Sequence, residues 1–302
     1  MNKVNIKKLV TGLGAAAMFA FAVTSTGSAE TQYPLEFTDS FGQVVVIEEE
    51  PERIISIAPN LTETIYGIGA GDKLIGRTDY CTYPEEVADV ESIGAIFPVD
   101  IERVLSLDPD VVFVSTHFKA DDAEKLAQVG VSVVTLVDEA TVDGVYEMIT
   151  ALGEVLNRTE EAAARVEEMQ SAIAEVTEAV KDLEAPSVYY VVGYGEYGDF
   201  TVGGDTFVGN IIETAGGENI AKDVIGWNYS LEELIESDPD IIIVPEVMRE
   251  GFMTAPNYCE LTAVKEGRVY SPDIDQIERQ SYRNGEGVRI LAEIFHPEVF
   301  EK

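Results

Sequence analysis

One stretch of this chain is written twice. Asp100-Ile-Glu-Arg-Val-Leu-Ser-Leu-Asp-Pro-Asp-Val-Val-Phe-Val114 returns 130 residues later as Ser230-Leu-Glu-Glu-Leu-Ile-Glu-Ser-Asp-Pro-Asp-Ile-Ile-Ile-Val244. Each copy reads as a short amphipathic helix, an Asp-Pro-Asp stop and an unbroken apolar run. Proline cannot continue a helix, and a short β-branched run suits a strand buried on both faces. The repeat therefore predicts two equivalent helix–turn–strand units, one in each half. Two similar α/β lobes imply a ligand cleft between them. Glu102 and Glu232 fall at the same position of the two copies.

The lobes do not begin at residue 1. Lys3, Lys7 and Lys8 precede an apolar stretch from Leu9 to Val23, and Gly27-Ser28-Ala29 supplies small residues for cleavage. Residues 1–29 read as a secretory signal peptide. No cysteine lies near that point, so the expectation is a secreted periplasmic protein and not a lipoprotein. Removing the leader leaves 17 basic against 56 acidic residues, a net charge of −39. Nucleic acid and anionic lipid both need positive charge facing them. No nucleic-acid partner and no membrane insertion after cleavage are expected, and the acidity is compatible with a partner that bears arginines. Cys81 and Cys259 fall in opposite halves. An oxidising compartment permits a bridge, but the sequence alone does not bring them together.

From Arg53 the chain alternates in the α/β manner. Ile54 to Ala58 reads as a strand, and Asn60-Leu-Thr-Glu63 as a capping box opening a helix that Gly67 and Gly69 close. After a helix from about Val142 to Leu156, Thr159 can cap a second that runs to about Leu183. Its apolar positions, Ala162, Val166, Met169, Ile173, Val176, Val180 and Leu183, alternate four and three apart. A helix from Glu160 to Asp182 would be about 35 Å long. It reads as a rigid strut across both lobes, with coiled-coil dimerisation as the other reading. The organisation is thus a first lobe over 30–141, linking helices over 142–185 and a second lobe over 186–302.

The enzymatic inventory is thin. There are two histidines, His117 and His296, and no His-x-His, His-Glu-x-x-His, Cys-x-x-Cys or Gly-x-Ser-x-Gly. What remains is aromatic: Tyr80 and Tyr83 in a first-lobe loop, Tyr194, Tyr197 and Phe200 in a second-lobe loop, and Trp227 before the second repeat copy. In open parallel sheets, ligands bind beyond the carboxyl ends of the strands. Several of these rings are expected there, facing one cleft and suited to a large planar or apolar ligand. His117 has two readings, a loop hydrogen bond or an axial ligand to iron or cobalt. His296 reads as a helix C-cap.

Taken together, these segments resemble a known family. Pro51-Glu-Arg-Ile-Ile-Ser-Ile-Ala-Pro-Asn-Leu-Thr-Glu63, Ile68-Gly-Ala-Gly-Asp-Lys-Leu-Ile-Gly76, Ala215-Gly-Gly-Glu-Asn219, both Asp-Pro-Asp copies and the closing Arg289 to Pro297 are similar to the solute-binding proteins of metal-chelate ABC importers. The resemblance implies two Rossmann-like lobes joined by one long backbone helix, with the ligand cleft between them. It implies a monomeric binding protein with no enzymatic activity and no resident cofactor, serving a permease dimer and its ATPase. The cargo would be cobalamin, a ferric siderophore or haem. By the same resemblance Glu102 and Glu232 dock on permease arginines, and Arg77, Arg249 and Arg283 are candidates for anionic chelates. Tyr80-Cys-Thr-Tyr-Pro84 and Trp227 resemble features of the cobalamin-binding member, whereas Ile96-Phe97 stands where that member has a first-lobe tryptophan. A corrinoid is the favoured cargo. Ferric siderophore or haem is the alternative, as is a sensory protein that presents its ligand to a receptor.

Overall fold

The computed structural model describes residues 30–300 apart from positions 117 and 138, so the leader reading and the reading of His117 lie outside the described residues. The first described elements form an antiparallel hairpin, β1 (Leu35–Thr38) and β2 (Val44–Ile47), which precedes the predicted alternation. Then come β3 (Ile54–Ser56), α1 (Pro59–Gly67), β4 (Leu74–Arg77), α2 (Ile101–Ser106), β5 (Val111–Val114), α3 (Ala120–Gln128) and β6 (Ser132–Thr135). Helices α4 (Val142–Val155) and α5 (Thr159–Val180) lead into the second lobe. That lobe opens with β7 (Ser187–Tyr190), β8 (Asp199–Phe200), α6 (Phe207–Thr214), β9 (Glu218–Asn219) and β10 (Asn228–Tyr229). It continues through α7 (Leu231–Ser237), β11 (Ile241–Ile243), α8 (Glu246–Thr254), α9 (Thr262–Lys265), β12 (Val269–Tyr270), α10 (Asp275–Glu278) and α11 (Asn284–Phe295).

The two lobes share one topology. Their parallel sheets run β4-β3-β5-β6 and β9-β7-β11-β12. Counted as the chain meets them, both have the order second, first, third, fourth. The repeat copies, α2–β5 and α7–β11, supply the third strand of each sheet.

Their Asp-Pro-Asp stops act alike. Asp108 and Asp238 follow the last helical turns with φ of 48° and 37°, in the left-handed region that aspartate tolerates better than most residues with a side chain. Asp110 then accepts the Glu52 and Arg53 N–H groups, both at 2.9 Å, just ahead of β3. Asp240 accepts the Ser187 N–H at 2.9 Å and its hydroxyl at 2.7 Å, at the start of β7. The last aspartate of each copy thus ties the first strand of its sheet to the third.

Alternation along these strands divides the core. Ile54, Val111 and Phe113 in one lobe, and Val188, Tyr190, Ile241 and Ile243 in the other, face a single continuous apolar core. Ile55, Val112 and Val114 face a separate cluster on the outer side of the first sheet, and Tyr189, Ile242 and Val244 one on the outer side of the second. The central core also takes in Ala162, Met169, Val176 and Val180 of α5, so the predicted strut packs one face against the core and leaves the opposite face to solvent. Gly153 on α4 permits this, because a Cβ there would fall 2.4 Å from the Ala162 Cβ.

Two local expectations change. The N-cap position of α5 is Arg158, and Thr159 is its first helical residue. The capping box at Asn60 and Glu63 does not form, since α1 already begins at Pro59 and carries no side-chain cap. Proline is pre-set for the first turn, which moves Glu63 into the helix body.

Candidate functional site

A cavity of about 620 Å³ opens between the lobes. Its walls are built by Asn60 after β3, Glu139 after β6, Val192 after β7, and Glu278, Arg279 and Gln280 after β12. This is the carboxyl-end position expected for parallel sheets, here contributed by both sheets at once. Trp227, 47 % exposed, adds the indole face, and Asp205 a further carboxylate.

The segment 279–283 closes the seam beside this cavity. Glu63, wholly buried on α1, accepts Arg279 at 2.8 Å, the Ser281 hydroxyl at 3.0 Å and Arg283 at 3.3 Å. The Gln280 side chain accepts the Glu139 N–H at 2.8 Å and donates to the Glu139 carbonyl at 2.7 Å, as a neighbouring strand would. Gly67 ends α1 against Tyr282, whose ring would lie 2.4 Å from any Cβ placed there. Arg165 of α5 donates to the Gly67 carbonyl at 2.8 Å and covers the same ring at 5.2 Å.

The cavity carries little spare positive charge. Glu139, Asp205 and Glu278 face Arg279, which is already paired with Glu63 and, at 2.9 Å, with Asp275. Glu278 is open to the cavity yet crowded by the protein around it. That crowding raises its pKa, partly offset by the Tyr190 hydroxyl donating to it at 2.8 Å.

Of the aromatic residues singled out from the sequence, Trp227 lines this cavity. Tyr83 lies beneath the Arg283 guanidinium at 3.9 Å, and Tyr80 is 57 % exposed on the same loop. Thr82 between them meets Arg279 at 3.2 Å, so the loop stands at the rim. Tyr194 does not face the cleft; it packs edge-on against Phe252 and Tyr258. Tyr197 is 89 % exposed and lines no part of it, and Phe200 pairs with Asn228 and lies against Gly193. Strand ends place a loop, but the packing of the lobe's outer core turns this one away.

The candidate arginines also separate. Arg283 sits at the seam, with Asp273 at 3.2 Å as a second partner. Arg249 donates to the Val269 carbonyl at 3.3 Å, and Arg77 to the Val87 and Thr78 carbonyls within its own lobe. Glu63, Glu278, Arg279 and Gln280 were missed. A carboxylate between Leu61 and Ile65 on an apolar helix, and two arginines flanking Gln-Ser-Tyr, are the signals that could have found them.

Glu102 and Glu232 are exposed in the first turns of α2 and α7, which Asp100 and Ser230 cap. Cys81 is buried against the Thr62 hydroxyl at 3.0 Å while Cys259 sits partly exposed in the other lobe, and both are free thiols. His296 caps α11 and lies 3.0 Å from the Gly216 carbonyl. Among the described residues, no group of three His, Cys, Asp or Glu side chains could hold a metal ion.

The sequence profile of the periplasmic binding protein family matches residues 54–275. An uncharacterized ABC transporter substrate-binding lipoprotein of Bacillus subtilis is 33% identical over 278 residues, 89% of this chain and 88% of that one. A cobalamin-binding protein of Halobacterium salinarum is 28% identical over 279 residues, 87% of this chain and 74% of that one. The apo periplasmic heme-binding protein RhuT of Roseiflexus has the same fold, with a TM-score of 0.76 at 22% identity over 82% of this chain and 99% of that one. The vitamin B12-binding protein BtuF of Vibrio cholerae has it too, at 0.71 and 22% over 84% and 99%. These likenesses carry one correction. The expectation that the chain is not a lipoprotein is overturned by the Bacillus relative, which is a lipoprotein; an extracytoplasmic location stands. A two-lobed α/β fold, a cleft at the strand ends and a profile match across both lobes lead to one conclusion: the chain belongs to the periplasmic binding protein family, as a substrate-binding transport protein and not an enzyme.

Proposed function

We propose that the interlobe cavity receives a metal chelate, a corrinoid before any other, and that the protein delivers it to the permease dimer and ATPase of an ABC importer. The observation that carries the choice of cargo is the charge of the cavity. Three carboxylates face one arginine that is already neutralised, which suits a neutral or cationic chelate and penalises a strongly anionic siderophore. Trp227 offers a ring face to a planar macrocycle. The Halobacterium relative and a vitamin B12-binding protein of Vibrio parahaemolyticus, 27% identical over 267 residues, point the same way. The metal arrives inside the cargo, so the protein needs no resident cofactor, and it acts as a monomer. Glu102 and Glu232 meet permease arginines; paired charge-assisted contacts at two equivalent points set the register on a two-fold partner.

The test is a titration of the purified protein with cobalamin, haem and a ferric siderophore, followed by visible absorption. Saturable binding of cobalamin at the lowest concentration supports the reading. Preferential binding of the anionic siderophore would overturn it.

A further inference from the structure

The polar wall of the interlobe cavity has a direction: its side-chain donors are turned onto the protein, and its acceptors are left open. Both ends of the Gln280 amide are engaged by the Glu139 backbone. Arg279 is turned onto Glu63, Asp275 and, at 3.2 Å, the Thr82 hydroxyl. The Thr206 hydroxyl donates to the Gly203 carbonyl at 2.8 Å, and the Asn60 amide points at the Met148 sulfur, 3.7 Å away. Among the described residues the Trp227 indole N–H makes no hydrogen bond, and it is neutral.

The carboxylates are the reverse case. Glu278 accepts the Tyr190 hydroxyl on one oxygen, and Asp205 accepts the Gly226 N–H at 2.7 Å on one of its own. Among the described residues their second oxygens and the whole Glu139 carboxylate accept nothing. All three are still held in place. Tyr190, which anchors Glu278, is wholly buried. Gln280 clamps the Glu139 backbone, and the Glu139 stem lies so close to Gly144 of α4 that no Cβ fits there. The three come from separate parts of the chain: after β6, before α6 and at the end of α10.

A cargo seated here is met by fixed acceptors. A carboxamide presents N–H groups to such an oxygen and adds no charge. A carboxylate in the same place sets two like charges together where water is displaced. Corrinoids are fringed by primary carboxamides, and hydrolysis of one amide gives a carboxylic acid with the macrocycle and its metal intact.

We propose that Glu278, Glu139 and Asp205 are specificity-determining residues that read the carboxamide fringe of the cargo and reject its carboxylic-acid counterparts. Assigning that fringe to a corrinoid rests on the cargo reading above; the selectivity for a single functional group, through named oxygens, goes beyond it. Glu278, crowded by the protein and anchored by Tyr190, should discriminate most strongly.

The test is a set of titrations of the full-length protein with cyanocobalamin and with its purified monocarboxylic acids, followed by visible absorption. They are made at about pH 8, well above the ordinary range of carboxylic acids. At least one acid should bind about tenfold more weakly than the all-amide form. In Glu278→Gln, which keeps the shape and loses the charge, that ratio should fall by about threefold or more, chiefly because the acid binds better. If this variant does not fold, Glu139→Gln carries the same comparison, since that carboxylate has no hydrogen-bond partner among the described residues. Equal affinities for the amide and every acid overturn the proposed selectivity and leave the cargo reading standing. A ratio that survives in both variants overturns the assignment to these carboxylates. No binding of any corrinoid overturns the cargo reading and the selectivity together.

Discussion

Glu63 and Arg279 stand 216 residues apart in the chain, and their side chains meet at 2.8 Å across the seam between the lobes. Glu63 is fully buried, and Ser281 and Arg283 engage its second oxygen. A buried carboxylate is tolerated only where its lone pairs are met and its charge is balanced. The segment 279–283 meets both conditions for a helix of the opposite lobe. The same segment carries Arg279 and Gln280 into the cavity wall.

Glu63→Ala should therefore destabilise the protein by about 3–5 kcal/mol, the usual cost of removing one partner from a buried ionic network. Urea denaturation followed by circular dichroism measures it. A loss below about 1 kcal/mol, the range of surface pairs, would mean that water reaches both arginines.

The lobes should move little when cargo binds. One apolar core runs from the first sheet through α5 to the second, and bending it would separate packed side chains. Small-angle scattering of the free and loaded protein should give nearly superimposable profiles. A large domain rotation would contradict the shared core.

Trp227→Ala should weaken cargo binding by about 1–3 kcal/mol, the scale of a buried ring contact. Tyr197→Ala should leave it unchanged, because that ring is 89 % exposed outside the cavity. Titration of both variants by visible absorption separates them, and equal effects would relocate the binding surface.

Glu102→Ala combined with Glu232→Ala should leave stability and cargo affinity intact while docking to the permease is lost. Both side chains are exposed at helix starts and neither lines the interlobe cavity. Docking of the wild type should weaken with added salt, since exposed charges are screened. A variant that keeps docking and loses cargo would place these residues in the binding cleft.

Asp110→Ala and Asp240→Ala should cost similar amounts, about 1–2 kcal/mol each, because each removes two hydrogen bonds at equivalent positions. The side-chain bond from Ser187, then its backbone N–H, holds the Asp240 pKa below the ordinary aspartate value. A pKa depressed on folding adds stability that is fully present above the ordinary aspartate pKa and is lost as pH falls through the lowered value. The Asp240→Ala deficit should accordingly shrink in acid. A deficit that stays constant down to the lowest pH would show that the carboxylate charge plays no part.

The lobes were legible because their signals are local. Asp-Pro-Asp stops a helix wherever it stands, and Val111–Val114 and Ile241–Ile243 are apolar on both faces whatever their neighbours. The strut was legible from the spacing of Ala162, Met169 and Val176. The hairpin at Leu35–Thr38 and Val44–Ile47 was not, because Val44 and Val46 are exposed and break the expected link between apolar residues and burial. The cleft was legible in position and poorly in content. Trp227 lines it, whereas Tyr194 turns toward Phe252 and Tyr258.

By itself the sequence determined what depends on neighbours along the chain: two lobes, their strands, the paired glutamates and the long helix. Only the tertiary structure decided which distant groups share a low-dielectric space. Glu63 meets Arg279 and Arg283, Glu139 exchanges hydrogen bonds with Gln280, and Asp199 faces three tyrosines beside Glu232. Charges and polar groups interact over a few ångströms and strongly only where water is excluded. Sequence separation carries no record of that distance, so these pairings emerge only once both sheets have packed on one core.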